Sequence, residues 1–261
     1  MNALDHVPDP QQEDYTALLQ EIGIAQRSRG GTFESILALV AERPGARVLD
    51  APSGPGLFCE ALRRLGYRVT AADLDAEGFQ LHGTVPFREL DLEDPLPFDD
   101  GSFDIVVCSD GIEHLENPFG LIREFSRVLD EGGSLIVATP NYLNLERKIQ
   151  FLLTGALTKP LARQPGFARR EKFDRGHINP LTLVRLAYMA ECADLALERC
   201  FTLLPKPKQR ILAPLAWLIL LYRRFLDEKA LRNLWAQHTL TLEMLLGGKK
   251  LVAEFRKTRP E

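Results

Sequence analysis

The chain has 261 residues, 45% of them hydrophobic, and a net charge of −4. That length bounds it to one large domain, or one domain with a cap, with apolar material for a substantial core. Its four cysteines (Cys59, Cys108, Cys192 and Cys200) form no C-x-x-C pair and no metal-ligand spacing, so no metal site is expected from them. The charge is unevenly spread. Residues 1–145 hold 10 basic and 25 acidic side chains, a net of −15, and residues 146–261 carry a net of +11. Two regions with different partners are one explanation, and a basic face that merely complements the acidic half is the other.

In chain order, residues 1–14 are polar and acidic and read as a frayed arm rather than a signal peptide. Helical spacing runs from Tyr15 to Arg27 and again from Phe33 to Glu42, and Pro44-Gly45 breaks the second helix. Arg47-Val48-Leu49-Asp50 then reads as a buried strand, followed by a tight loop through Gly54-Pro55-Gly56 and the start of a helix. A second strand, Arg68–Asp73, ends in an acid, and a third short one, Phe87–Asp91, ends in another. Strands and helices keep alternating, as a parallel sheet with crossover helices requires. Pro118 suits the first turn of a helix reaching Leu129, and Glu131-Gly132-Gly133 the turn into a fifth strand.

The loop after the first strand carries chemistry. Glycines let backbone approach a ligand, and a helix N-terminus offers unpaired N–H groups to an anionic group. An acid ending the next strand is placed to accept from both hydroxyls of a ribose. These features point to an adenosine-containing cofactor. A nicotinamide dinucleotide fits poorly, because Gly54-Pro55-Gly56 is followed by Leu57, Phe58 and Cys59, and the third small residue of that fingerprint is missing.

Taken in order, Val48-Leu49-Asp50 with Gly54 and Gly56, the acid Asp73, the run Phe103–Leu115 with Glu113-His114-Leu115, and the strand Gly133–Asn141 resemble the class I S-adenosylmethionine-dependent methyltransferases. The resemblance covers residues 33 to 141. Pro52 departs from it, standing where the family usually has its first glycine, and proline supplies no N–H donor. The resemblance implies a doubly wound, Rossmann-like α/β sheet of seven strands, mostly parallel with the last antiparallel. It implies S-adenosylmethionine as cofactor, leaving S-adenosylhomocysteine as product.

It also implies roles. Asp50 orients the loop and reaches the methionine amino group, directly or through water, and Ser53, Gly54 and Gly56 frame the methionine portion. Asp73 binds the ribose diol, Leu74 packs on adenine, and Asp91-Leu92 meets the adenine amine and ring nitrogen. Ser109 lines the cleft near the sulfonium. Each carboxylate has a plainer reading: Asp50 as a turn cap, Asp73 as a solvated strand end, Asp91 as an Asx-turn. A hydroxyl acceptor gains from a base, and His114 and His177 are the candidates, against scaffold roles for both.

The second half is less regular. Tyr142–Leu153 looks helical, and Thr154–Asn179 is a long loop carrying Lys159, Arg163, Arg169, Arg170, Lys172 and Arg175. A helix from Leu181 to Ala193 and a strand from Leu195 to Leu203 precede a second insertion, and Lys249–Phe255 closes the fold. The expected organisation is an N-terminal helical arm over 1–32, a methyltransferase domain over 33–203 plus 249–257, and insertions at 142–180 and 204–248 forming a basic, apolar cap or membrane contact. Within the second, Ile211–Tyr222 is uncharged between Arg210 and Arg223. Those 12 residues fall short of the roughly 20 needed to span a bilayer. Basic flanks with Trp217 and Tyr222 suit an interfacial helix on anionic lipid through 206–224, while burial against the acceptor pocket or a second copy in a homodimer is the alternative.

The leading expectation is methyl transfer to a hydroxyl of a small molecule, glycan or lipid-linked precursor, in the cytoplasm or peripherally on the inner membrane face. The alternative is a non-catalytic module binding the cofactor or lipid. Nucleic acid is disfavoured as a partner, because the fourth strand ends in Cys108-Ser109-Asp110-Gly111 and no Asn-Pro-Pro-Tyr-type motif follows.

Overall fold

A computed structural model describes residues 12–25, 31–158, 176–233 and 235–258. The N-terminal helices are α1 (Gln12–Ile22) and α2 (Thr32–Val40). Then come β1 (Arg47–Asp50), α3 (Leu57–Arg64), β2 (Arg68–Asp73), β3 (Phe87–Glu89), β4 (Phe103–Ser109), α4 (Pro118–Val128) and β5 (Leu129–Pro140). The second half holds α5 (Leu145–Thr154), α6 (Leu183–Glu191), β6 (Leu195–Leu203), α7 (Ala213–Arg223), α8 (Glu228–Asn233), α9 (Ala236–Thr239), α10 (Leu242–Leu245) and β7 (Lys250–Lys257).

The strands form one seven-stranded sheet in the order β3-β2-β1-β4-β5-β7-β6. The pairs from β3 to β5 are parallel, and β7 runs antiparallel between β5 and β6. The expected Rossmann-like sheet with its last strand antiparallel is therefore present. Order reverses between β1 and β4, which leaves a crevice at the carboxyl ends of these two strands.

Burial on both faces follows from the pleat. Along β1 and β4, Val48, Ile105 and Val107 join the core under α1, α2 and α3, while Leu49, Val106 and Cys108 join the core under α4 and α6. Parallel strands covered on both sides read as continuous apolar runs, and these do. Cys59, Cys108 and Cys200 are buried free thiols and Cys192 is exposed.

Several boundaries shift from the sequence reading. The first helix ends at Ile22, five residues short of Arg27. The fifth helix begins at Leu145, not Tyr142, because the Asn144 side chain accepts from Arg147 N and caps it there. Leu129 already pairs with Phe103 before an irregularity, so Glu131–Gly133 lie inside β5 rather than ahead of it, with Gly132 at φ 67. The basic side chains Lys159, Arg163, Arg169, Arg170, Lys172 and Arg175 lie outside the described residues.

The second insertion packs back onto the rest of the chain. Ala216 of α7 and Leu245 of α10 are buried with Leu145 at the start of α5, joined by Leu212, Ile219 and Leu220. Among the described residues, no helix is long and apolar enough to cross a membrane.

Candidate active site

The loop between β1 and α3 is held by its neighbours. Ala51 N donates to Val107 O (2.9 Å) and Ser53 N to Ala72 O (2.9 Å), stitching it to β4 and β2. Asp73, ending β2, accepts from Gly54 N through Oδ2 (2.7 Å) and from Asp75 N through Oδ1 (3.0 Å). Gly54 sits at φ 53, where a side chain would be strained, and a Cβ there would meet nothing within 4 Å, so the loop faces open space. Gly56 differs. At φ 99, its absent Cβ makes room for Leu81 (2.9 Å) and Phe79 (3.0 Å), so the glycine is needed for packing against its own chain.

Asp50 is fully buried behind this loop. Burial pushes its carboxyl up to about 7, opposed by the bond that Cys59 Sγ donates to Oδ2 (3.1 Å) and reinforced by the Asp73 charge. Ser53 and Ser109 are both buried, and their hydroxyls have no hydrogen-bond partner among the described residues. Two orphaned hydroxyls flanking an open glycine loop match what a polar ligand needs at the crevice.

On the adenine side, Leu74 is half-buried and Leu92 is buried in the core. Asp91 Oδ1 accepts from Glu93 N (3.0 Å), so the Asx-turn reading of Asp91 is realised. An oxygen so used keeps a lone pair for a further donor.

The second part of the site lies past β4. Asp110 adopts φ 56, its N–H donates to Ala138 O (2.9 Å), and its carboxylate pairs with Lys250. Glu113 is completely buried. Its Oε2 accepts from Thr139 Oγ1 (3.1 Å), and its Oε1 has no hydrogen-bond partner among the described residues. Burial, then the Asp110 charge, pushes the Glu113 carboxyl up to about 7.

His114 and His177, 63 residues apart in sequence, meet edge to face with ring centroids 5.0 Å apart. Asn179 draws the distant segment in, since its N–H donates to Glu113 O (3.0 Å) and its side-chain amide to Leu115 O. The Tyr142 hydroxyl lies 3.0 Å from His177 Nδ1. Ligand atoms of Glu113, His114 and His177 all lie within 4.8 Å of one another, a spacing at which one cation could be held between them. Sequence reading gave roles to both histidines and placed Glu113 in the right region without a role, and it did not single out Tyr142 as a site group. The available signal was the Glu113-His114 pair beside the end of β4.

These groups stand where comparison with known proteins is informative. A family model described as a methyltransferase domain matches residues 49–137. Residues 49–137 thus form a methyltransferase domain. Such domains take S-adenosylmethionine, and the open Gly54 loop, the buried Asp50 and the Ser53 hydroxyl, unpartnered among the described residues, fit its amino-acid end. The Xanthomonas campestris protein named ubiquinone biosynthesis O-methyltransferase is 42% identical over 106 residues, covering 38% of this chain and 44% of that protein. Its Xanthomonas oryzae counterpart is 42% identical over 105 residues, 37% of this chain and 44% of that protein. The chain thus matches less than half the length of these relatives. Two solved structures share the fold around the methyltransferase domain. One, a SAM-dependent methyltransferase from Archaeoglobus fulgidus, has a TM-score of 0.54 at 16% identity, covering 96% of each chain. The other, from Mesorhizobium loti, has a TM-score of 0.52 at 18% identity, covering 87% of this chain and 98% of its own.

Proposed function

We propose that this chain transfers a methyl group from S-adenosylmethionine to a hydroxyl of a small molecule, glycan or lipid-linked precursor. When bound, the cofactor supplies an activated methyl on sulfonium, so the chain's own work is to position the acceptor and take its proton. S-adenosylmethionine would give up its methyl to the acceptor oxygen and remain as S-adenosylhomocysteine, while His177 would take the oxygen's proton. Asp73 accepts from the ribose hydroxyls, and Asp50, Ser53 and Gly54 hold the methionine end. Leu74, Asp91 and Leu92 bound the adenine. His177 removes the acceptor proton, and His114 braces it.

The observation carrying this reading is the meeting of His114 and His177 beside the buried Glu113 carboxyl, past the end of the strand that holds Ser109. A nearby carboxylate stabilises an imidazolium, which favours proton uptake there. The O-methyltransferase named in Xanthomonas supports the hydroxyl acceptor. Calorimetry with S-adenosylmethionine, S-adenosylhomocysteine and NADH tests the cofactor class, and a radiolabel transfer assay tests turnover. Tight NADH binding with the sulfonium compound ignored would sink the proposal. A non-catalytic binding module is the second reading, and it predicts cofactor binding with no label transferred to any acceptor.

The same proposal includes contact with an anionic membrane surface. Trp217, Leu218, Leu221 and Tyr222 on α7, with neighbouring Ile211 and Phe225, are all more than half exposed. Lys206, Lys208, Arg210, Arg223 and Arg224 flank them, a charge pattern that complements anionic lipid. Flotation with phosphatidylglycerol vesicles tests this. Binding abolished by Trp217→Glu with Leu218→Glu supports it, and a concentration-dependent dimer with no flotation overturns it.

A further inference from the structure

A cavity of about 710 Å³ opens beside the proposed transfer site, between the end of β5, the first turn of α5, the segment after β6 and the start of β7. Its volume is in the range of small-molecule sites. Five cations line it, Arg147, Lys206, Lys208, Lys249 and Lys250, against a single carboxylate, Glu146. Lys206 Nζ pairs with that Glu146 (2.7 Å) and Lys250 with Asp110, while Lys208 and Lys249 form no ion pair among the described residues. Like charges gathered in a partly enclosed space repel, and a bound anion relieves that repulsion.

Two further features have the same sign. The first turn of the ten-residue helix α5 lines the cavity through Asn144, Glu146 and Arg147, and a helix N-terminus carries partial positive charge. The Arg147 guanidinium reaches Gln150 Oε1 (2.8 Å), a neutral partner, and forms no ion pair among the described residues. The cavity lies close to the active site. Ser109 pairs with Ala138 on β5, and Pro140, a lining residue, stands two residues further along, roughly 7 Å at strand rise. The Lys250–Asp110 pair bridges the two directly.

We propose that this cavity binds a phosphoryl or diphosphoryl group of the methyl acceptor, so that the acceptor enters with its anion between Lys208 and Lys249 and its hydroxyl toward Ser109 and His177. The assignment to the acceptor rests on the methyl-transfer reading, whereas anion binding itself is independent of it. Ammonium groups act as point charges on phosphate oxygens, so the affinity should fall steeply with salt.

The test is calorimetric titration of the full chain with inorganic diphosphate at low ionic strength. Saturable binding is expected, weakened at least tenfold in the Lys208→Glu, Lys249→Glu double variant, with S-adenosylhomocysteine affinity and the melting temperature unchanged. Absence of saturable binding, or an isotherm untouched by the double variant, overturns the proposal. Farnesyl diphosphate distinguishes the sources: tighter binding than inorganic diphosphate identifies a lipid-linked acceptor, and equal binding a soluble phosphorylated one. Binding to phosphatidylglycerol vesicles without binding to diphosphate counts against the cavity. Failure of wild-type chain to bind S-adenosylhomocysteine would instead remove the methyl-transfer reading and leave the anion measurement standing.

Discussion

The Pro52 ring occupies the space that a side chain at Gly111 would need. A Cβ on Gly111 would fall 2.7 Å from Pro52 Cγ, and closer still to Cδ. Gly111 has φ −127, so its backbone tolerates alanine and only the ring forbids it. The residue that departs from the family pattern in the first loop is thus accommodated by a glycine after the fourth strand.

Gly111→Ala should therefore destabilise the chain by about 1–3 kcal/mol, the usual cost of overpacking, and weaken S-adenosylmethionine binding by displacing the 51–54 loop. Adding Pro52→Gly should restore both. Denaturant melts and calorimetry on the single and double variants measure the coupling. Additive losses would show that the two residues do not share the space.

Asp73 is tied to Gly54 N and reserved, on our reading, for the ribose diol. Asp73→Ala should lower S-adenosylmethionine affinity by about 100-fold, as expected when two hydrogen bonds to a charged acceptor are lost. Asp73→Asn, which keeps one acceptor oxygen, should fall between. Equal affinity in all three proteins would exclude Asp73 from the cofactor site.

His177→Ala should keep cofactor affinity and lose about 10²- to 10⁴-fold in turnover, the range for a general base. Tyr142→Phe removes the hydroxyl 3.0 Å from His177 Nδ1 and should shift the pH–rate profile while leaving cofactor affinity alone. A variant profile superimposable on that of the wild type would assign the tyrosine a packing role only.

Burial raises Glu113 to about 7, so the folded chain holds a proton there that the unfolded chain releases near the ordinary value of 4.5. Its contribution is complete below that ordinary value and is lost as pH rises through about 7, so stability falls across this window. The loss amounts to about 3 kcal/mol on full ionisation. Glu113→Gln, which can still accept from Thr139, should flatten the part of the fall due to this residue, leaving the similar one from Asp50. Urea melts at pH 5 and pH 8 measure it. An unchanged difference between the two pH values would mean that Glu113 ionises freely in the folded chain.

The order of secondary structure and the glycine loop after β1 were legible in the sequence because both are local. Val48 and Leu49 alternate between two cores, β2 ends at Asp73 as read, and Pro118 opens α4. Hydrophobic period, proline and glycine positions, and an acid at a strand end fix these within a few residues of chain. Helix ends were less accurate where a side-chain cap decided them, as at Asn144.

What only the tertiary structure decided are the relationships between distant segments. Nothing local shows that Asn179 draws His177 onto His114, that Glu113 lies buried with one oxygen unused, that Pro52 rests on Gly111, or that Lys206, Lys208, Lys249 and Arg147 surround one cavity. Such contacts depend on strand order, and above all on β7 entering between β5 and β6. Periodicity specifies which face of each element is apolar, but the partner it meets is set by how all the faces can be buried together.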